Sequence, residues 1–267
     1  MYKLTEINIF PVKSLSGYSV KSAVVTDRGL KYDRRWMLID ENGKFITQRS
    51  MGNMALLRTE VKGEEVELSS KVSNEKISFS VNQKTDKNIE AVIWNDIVNT
   101  NQVSELIDEW LSDTLNIKCS LVYMPEDSKR VVDNKYSLNK DITSLSDGFP
   151  FLVIGEESLN DLNSRLTKKI SMNRFRTNFV FSGGNPFDED KWKKIQIGNI
   201  FYYPIKPCSR CVVTTIDPET GYKENEPLAT LSSFRKENNK INFGQNMLHS
   251  GIGEINIGAE IKVLEWK

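Results

Sequence analysis

Residues 35–48 read "RWMLIDENGKFITQ", in which two apolar segments flank the dipeptide Asn42-Gly43. Asn-Gly between apolar runs is a strong signal for a β-hairpin, because both residues tolerate the positive φ angles of a tight turn. Turn-forming residues at positions 27–29 and 62–64 divide the neighbouring sequence in the same way. This stretch therefore predicts antiparallel β structure and a barrel or sandwich for the first hundred residues.

Short segments rich in β-branched and aromatic residues extend this pattern in both directions. After Ser104 the apolar residues recur at helical spacing, a second helix is predicted within residues 156–170, and a third opens at Pro227. Further strands are predicted after these helices, including residues 211–217, "CVVTTID", and the polar residues 127–141 are predicted to form a long surface loop. Many strands and three helices predict a mainly β fold of the α+β class.

The composition is that of an ordinary globular protein. The 267 residues include 36 Lys and Arg and 36 Asp and Glu, so the formal charge is zero and the bulk electrostatics indicate neither nucleic acid nor a membrane surface as a partner. The start "MYKLTEINIF" lacks the pattern of a signal peptide, and no apolar run is long enough for a membrane span. We expect a cytoplasmic protein whose three cysteines are thiols.

Two cysteines, Cys208 and Cys211, stand three positions apart in "PCSRC". A structural zinc site would need four ligands, and only Cys119 and His249 remain to complete one. A thioredoxin-like redox pair begins a helix, whereas the residues after Cys211 predict a strand. Two interpretations stay open: one thiolate binds a soft metal whose other ligands come from a cofactor, or both cysteines are small packing residues.

Cationic residues cluster at the ends of three predicted strands. Lys13 and Ser14 end the first strand, Arg34 stands at the entrance to another, and Arg176 and Asn178 precede a third. A single lysine or arginine at a strand end is usually a solvated surface residue. A phosphate site, however, needs a lysine, a planar arginine and neutral donors together, and local clusters are more informative in a chain without net charge.

Five motifs occur in an order that resembles the MOSC-domain proteins, in the branch that includes the mitochondrial amidoxime-reducing component and its bacterial relatives. They are "PVKS", "DRRWMLID", "FRTNFVFSG", "CSRCVVTTIDPETG" and "FGQN". The resemblance extends from about Tyr2 to Lys267. It implies a MOSC N-terminal β-barrel region at residues 1–118, joined to a MOSC β-barrel domain at residues 119–267.

The resemblance also implies a molybdenum cofactor of the molybdopterin type, with Cys211 as the metal ligand and catalytic residue. Cys208 is then a packing residue. Ten residues are implied to contact the cofactor: Lys13, Ser14, Arg34, Ser146, Asp147, Arg176, Asn178, Ser209, Arg210 and Asn246. Asn246 departs from the tyrosine that follows "FGQ" in the amidoxime-reducing relatives.

The function implied is a molybdenum-dependent oxidoreductase that reduces N-hydroxylated compounds such as amidoximes, hydroxylamines and N-hydroxylated bases. Electrons would come from a separate donor protein, a flavin reductase, ferredoxin or b-type cytochrome system, because the chain has no cysteine set for an iron–sulfur cluster. Two alternatives remain. The chain could be a cofactor carrier or sulfur-transfer protein, or a β-rich binding domain without metal.

Overall fold

The structure, a computed structural model, describes residues 1–267. Ten strands precede the first helix: β1 Tyr2–Ile9, β2 Tyr18–Val20, β3 Ser22–Thr26, β4 Gly29–Leu30, β5 Trp36–Ile39, β6 Leu57–Lys62, β7 Glu65–Ser70, β8 Lys76–Ser80, β9 Asn88–Ile93 and β10 Asp96–Gln102. The three α-helices are α1 Glu105–Leu115, α2 Glu156–Arg165 and α3 Leu228–Phe234. None of them is long and apolar enough to cross a membrane.

Eleven strands follow α1. They are β11 Ser120–Tyr123, β12 Arg130–Val131, β13 Ile142–Thr143, β14 Phe151–Gly155, β15 Phe179–Ser182, β16 Trp192–Ile197, β17 Ile200–Ser209, β18 Lys236–Glu237, β19 Lys240–Ser250, β20 Gly253–Asn256 and β21 Glu260–Trp266. The predicted mainly β fold with a few helices is therefore confirmed.

Seven strands close into a barrel in the order β14, β15, β1, β21, β16, β17, β19 and back to β14. Every neighbouring pair is antiparallel except β14 and β15, which are parallel. Large side chains from all parts of the ring fill its interior, among them Phe151, Phe179, Trp192 and Tyr202, each at most 1% exposed. Because β1 comes from the beginning of the chain, this barrel joins both ends of the sequence.

In the first half, β2 pairs with β1 and the strands β3 and β4 form a small sheet with β20, while most of the other strands form two further sheets. One has the order β5, β11, β10, β9, and the other is the meander β6, β7, β8. They share a core with α1 in which Trp36, Leu68, Leu111 and Leu121 are fully buried. The division of the chain after residue 118 stays a prediction, and β1 crosses it by pairing with β15 and β21.

The strand predicted after Cys211 is wrong, because residues Val212–Thr215 form a short 3-10 helix. The hydroxyl groups of Thr214 and Thr215 bond back to the carbonyl oxygens of Cys211 and Val212, at 3.0 and 2.8 Å. This local side-chain bonding competes with extended structure and outweighs the β preference of the two valines.

Three other predictions need adjustment. The second helix ends at Arg165 rather than continuing to residue 170, because the Asn163 side chain bonds both backbone groups of Ile170. The strand expected after Gly43 is reduced to isolated bridges, although Gly43 does adopt a turn with φ of 75°. The loop at residues 127–141 contains the short strand β12, which pairs with β13.

Candidate functional site

A cavity of about 310 Å³ lies where strand ends from both halves of the chain meet. All eleven residues that the sequence predicted for the site line this one cavity: Lys13, Ser14, Arg34, Ser146, Asp147, Arg176, Asn178, Ser209, Arg210, Cys211 and Asn246. They come from six separate segments of the sequence. The fold therefore brings the predicted set together, and the role of each residue stays a prediction.

Three of these residues have a left-handed backbone. The φ angles are 68° at Ser14, 49° at Arg34 and 53° at Arg176, a region that non-glycine residues seldom occupy. Backbone hydrogen bonds hold the segments in place: Lys13 N donates to Trp36 O at 2.8 Å and Arg34 N to Phe10 O at 2.8 Å. Strained backbone that the surrounding fold maintains is concentrated at functional sites.

An ionic chain runs along the wall of the cavity. Lys13 Nζ lies 2.5 Å from Asp147 Oδ1, and Arg49 Nη2 lies 2.9 Å from Asp147 Oδ2. Burial lowers the pKa of Lys13 to about 8, although the charge of Asp147 opposes this shift. Burial would raise the pKa of Asp147, but Lys13 and Arg49 outweigh it and hold that pKa well below its usual value. The carboxylate is thus shared by two cations.

Arg34 and Arg176 both stack on Phe10, with guanidinium carbons 4.6 and 4.5 Å from the ring centre. Arg34 Nη2 donates to Arg176 O at 3.0 Å, and Arg34 also forms an ion pair with Asp33. Burial, and then the charge of Arg34, lower the pKa of Arg176 to about 9. A guanidinium keeps its proton in proteins, so the shift shows that the Arg176 charge is held mainly at a desolvation cost, to which the neighbouring charge of Arg34 adds.

The two neighbouring cysteines have different surroundings, and neither forms a disulfide. The Cys208 sulfur accepts a hydrogen bond from Arg210 Nη1 at 3.0 Å, and its side chain packs against the core beneath α2 and α3. Cys211 stands at the start of the 3-10 helix. Cys211 and Arg49 both line the cavity. Burial would lower the pKa of Arg49, but Asp147 and, after it, Cys211 outweigh this effect and raise that pKa. Both cysteines line the cavity, but Cys208 is also bonded to Arg210 and packed against this core, whereas Cys211 shares the cavity with Arg49 from a distant segment.

Some predicted residues are already bonded to the protein. Asn178 is 2% exposed, accepts from Leu152 N at 3.3 Å and donates to Asn8 O at 3.2 Å. The Ser146 hydroxyl donates to Phe149 O at 2.8 Å. These side chains shape the cavity by fixing the strand ends around it.

Three cations near the cavity were not among the residues predicted from the sequence. Arg49 and Lys206 line it, and Arg130, 6% exposed, donates to the carbonyl oxygens of Ser144 and Ser146 behind it. Nothing in the motifs marked Arg49 or Arg130. Lys206 could have been identified as a candidate site residue because it stands only five residues before Cys211.

A second cavity of about 530 Å³ adjoins the first and shares Arg176 and Val213 with it. It is larger, but its other cations are mostly neutralised. Arg174 pairs with Asp217 and Glu224, both at 2.9 Å, and Lys71 pairs with a glutamate at 2.9 Å. Its size therefore does not make it the better candidate, because the thiol and the ionic chain lie in the smaller cavity.

No group of three or more His, Cys, Asp or Glu side chains in the chain is arranged to hold a metal ion. His249, which the sequence left without a role, donates from Nε2 to Thr26 O at 2.7 Å, packs edge to face against Phe151 and stacks on Tyr202. Asp217 begins the turn predicted for "DPETG", with Gly221 N bonded to Asp217 O at 2.8 Å.

Comparison with known proteins gives two family matches and several relatives. Residues 1–118 match the MOSC N-terminal beta barrel domain, and residues 140–262 match the MOSC domain. The chain is 33% identical to the molybdenum cofactor sulfurase of Arabidopsis thaliana, over 97% of this chain and 35% of that protein. It is 32% identical to mitochondrial amidoxime-reducing component 1 of Mus musculus, over 87% of this chain and 71% of that protein. The human counterpart is 30% identical over 98% and 82%, respectively.

The chain thus spans about a third of the length of the plant sulfurase and most of the length of the amidoxime-reducing components. Both domain matches occur in the order that the motifs predicted. The chain therefore belongs to the family of MOSC-domain proteins that carry a MOSC N-terminal beta barrel domain.

Proposed function

We propose that the protein is a molybdenum-cofactor-dependent reductase of N-hydroxylated compounds such as amidoximes, hydroxylamines and N-hydroxylated bases. The observation that carries this proposal is the convergence of all eleven predicted residues, with the Cys211 thiol among them, on one cationic cavity. The relatives named amidoxime-reducing components support the reaction class. We further propose a cytoplasmic location.

The residues present fit the chemistry of such a cofactor. Six cations line the cavity against a single carboxylate, so a bound anion would reduce the repulsion among them. The Cys211 thiol is the kind of soft ligand that a molybdenum centre accepts. Phosphate suits the forked guanidinium groups of Arg34 and Arg176 and the ammonium of Lys13.

Under this proposal each residue has a distinct task. Cys211 would hold the metal, while Lys13, Ser14, Arg34 and Arg176 would hold the phosphate. The pterin edge would be bound by polar side chains, which are Ser146, Asp147, Asn178, Ser209, Arg210 and Asn246. Among them, the Asp147 carboxylate is suited to accept hydrogen bonds from the N–H groups of the pterin.

When bound, the cofactor supplies the two-electron reduction that breaks the N–O bond of the substrate, takes up two protons and releases water. The protein residues bind and orient the reactants. Arg49 lines the cavity with Cys211 and pairs with Asp147, so it keeps the carboxylate in place and would balance the charge of a metal-bound Cys211. A separate electron-donor protein, a flavin reductase, ferredoxin or b-type cytochrome system, would return the two electrons.

One observation favours a second candidate. The molybdenum cofactor sulfurase of Arabidopsis thaliana matches nearly the whole chain at 33% identity. The protein could therefore carry the cofactor or transfer sulfur, with a persulfide on Cys211 instead of a retained metal.

The test is to purify the protein from a host that makes the cofactor and to measure molybdenum and pterin per chain. Reduction of benzamidoxime and a hydroxylamine is then assayed with an artificial electron donor. We expect bound cofactor and turnover. Cofactor without turnover, together with a persulfide detected by mass spectrometry, would favour the carrier; absence of cofactor after its addition would refute the proposal.

A further inference from the structure

Lys206 differs from the other five cations of the cavity. Lys13 and Arg49 share Asp147, and Arg34 pairs with Asp33. Arg176 and Arg210 donate to the carbonyl oxygens of Leu15 and Phe175, both at 2.6 Å. Among the six, only Lys206 has neither a carboxylate nor a carbonyl oxygen as a partner.

Two aromatic rings hold the Lys206 ammonium instead. Its Nζ lies 4.6 Å from the ring centre of Tyr136 and 5.5 Å from that of Phe149. The two rings pack edge to face, with centres 5.6 Å apart. A cation–π contact orients an ammonium group without cancelling its charge, so Lys206 is held in place while its charge stays available to a ligand.

The backbone directs this side chain to the cavity. Along β17 the pairing with β19 shifts between Pro204 and Lys206, so that Lys206, rather than Ile205, pairs with Asn246. Bulges of this kind often re-aim a side chain next to an active site. Lys206 and Asn246 both line the cavity. Lys206 lies on β17, five residues before Cys211, and Asn246 lies opposite it on β19.

We propose that Lys206 binds an anionic group, a carboxylate or a phosphate, on the N-hydroxylated substrate, so that the site prefers substrates carrying such a group. This inference rests on the proposed reductase function. The cations assigned to the cofactor already form ion pairs or hydrogen bonds with the protein, whereas the Lys206 ammonium forms neither, so all of its donors are available to a second anion. Asn246 would add a neutral hydrogen-bond donor beside it.

The test compares matched substrates on the cofactor-loaded protein. The first pair is 4-carboxybenzamidoxime and benzamidoxime, and the second is N-hydroxycytidine 5′-monophosphate and N-hydroxycytidine. The quantity measured is the ratio of kcat/KM for the charged over the uncharged member, which cancels any general loss of activity. We expect a ratio above one for at least one pair, and that pair identifies a carboxylate or a phosphate as the preferred group.

In the Lys206→Gln variant this ratio should fall by about tenfold or more, mainly through KM, as expected for loss of a charge-assisted hydrogen bond. Lys206→Arg should restore most of it. Lys194→Gln is the matched control, because the Lys194 ammonium also lies over two rings, 4.7 and 5.9 Å from Phe201 and Tyr203, but away from the cavity. It should leave the ratio unchanged.

Three results would overturn the inference. One is an unchanged ratio in Lys206→Gln for both pairs, and another is an equal fall in Lys194→Gln. The third is loss of molybdenum and pterin from Lys206→Gln, which would assign Lys206 to the cofactor.

If the wild-type protein reduces none of the substrates, the reductase proposal fails, and binding decides the role of Lys206. Calorimetry with 4-amidinobenzoate and benzamidine then tests whether Lys206→Gln removes a preference for the carboxylate. A preference that disappears supports the anion site, and equal affinities in the wild type overturn it.

Discussion

Lys13 allows a quantitative test of the electrostatic design of the cavity. Its side chain is 5% exposed, and burial lowers its pKa from 10.5 to about 8 even though Asp147 opposes the shift. A difference of about 2.5 pKa units corresponds to about 3 kcal/mol. At neutral pH the charged ammonium therefore costs the cofactor-free protein about 3 kcal/mol of stability relative to the neutral amine.

Replacing Lys13 with methionine removes the charge and keeps a side chain of similar length. We expect Lys13→Met to raise the free energy of unfolding of the cofactor-free protein at pH 7 by up to about 3 kcal/mol, because this net cost, which already includes the contact with Asp147, is removed. Urea titration followed by tryptophan fluorescence measures this change. Lys194→Met, a lysine outside the cavity, should change stability by no more than about 0.5 kcal/mol.

The pH dependence gives the same test a second readout. Since the folded-state pKa of Lys13 lies below its unfolded value, the unfolded chain binds more protons between pH 8 and 10.5. The contribution of Lys13 to stability therefore rises with pH across that window, and Lys13→Met should lack this contribution. A destabilised variant at pH 7, or an unchanged pH profile, would refute the reasoning.

The same substitution should weaken cofactor retention, because a bound phosphate would stabilise the charged form of Lys13. We expect molybdenum and pterin per chain to fall in Lys13→Met while the folded protein becomes more stable. A variant that keeps the wild-type cofactor content would show that Lys13 does not hold the phosphate.

Four further predictions follow from the site and the core. Cys211→Ser should abolish turnover and molybdenum retention, whereas Cys208→Ser should retain the metal and lose stability; metal analysis showing equal loss from both would contradict the assignment. Arg176→Gln should lower cofactor affinity by about ten- to a hundredfold, measured by reconstitution with isolated cofactor, and unchanged affinity would place the phosphate elsewhere. Arg49→Met should reduce molybdenum retention and alter the electron paramagnetic resonance spectrum of the reduced protein, and a spectrum identical to that of the wild type would show that Arg49 does not act on the metal ligand. Burial raises the pKa of Glu189 from 4.5 to about 7, so this group should lower stability by up to about 3 kcal/mol as pH rises from 4.5 to 7; unfolding of Glu189→Gln should show a flatter profile, and an unchanged slope would disprove it.

Local sequence patterns were informative where short-range physics decides the structure. The turns at Gly43 and Gly63 adopt positive φ angles, and α1 begins after Ser104 and ends at Leu115, before Asn116 with its left-handed backbone. The 3-10 helix after Cys211 was missed because two threonine hydroxyls bond to nearby carbonyl groups, an effect that the β-branched pattern conceals. Such competition between side-chain and backbone hydrogen bonds is not visible in periodicity alone.

The motif residues of the site were predictable, but their supporting residues were not. Arg49 lies 98 positions from Asp147, and Arg130 reaches the turn behind it through backbone carbonyl groups. Neither belongs to a recognisable motif, because ion pairs over such separations depend on how the strands are arranged in space.

The sequence by itself determined the turns, the helical segments, the mainly β class and the motif residues of the cavity, since these depend on local backbone preference and residue chemistry. Only the tertiary structure decided that β1 completes a barrel with strands from the end of the chain, and that two cations share Asp147. It also decided that Lys206 reaches the cavity through a bulge and is held by aromatic rings instead of a carboxylate. The physical reason is that barrel closure, burial and charge pairing are properties of segments brought together by folding, and no single segment contains them.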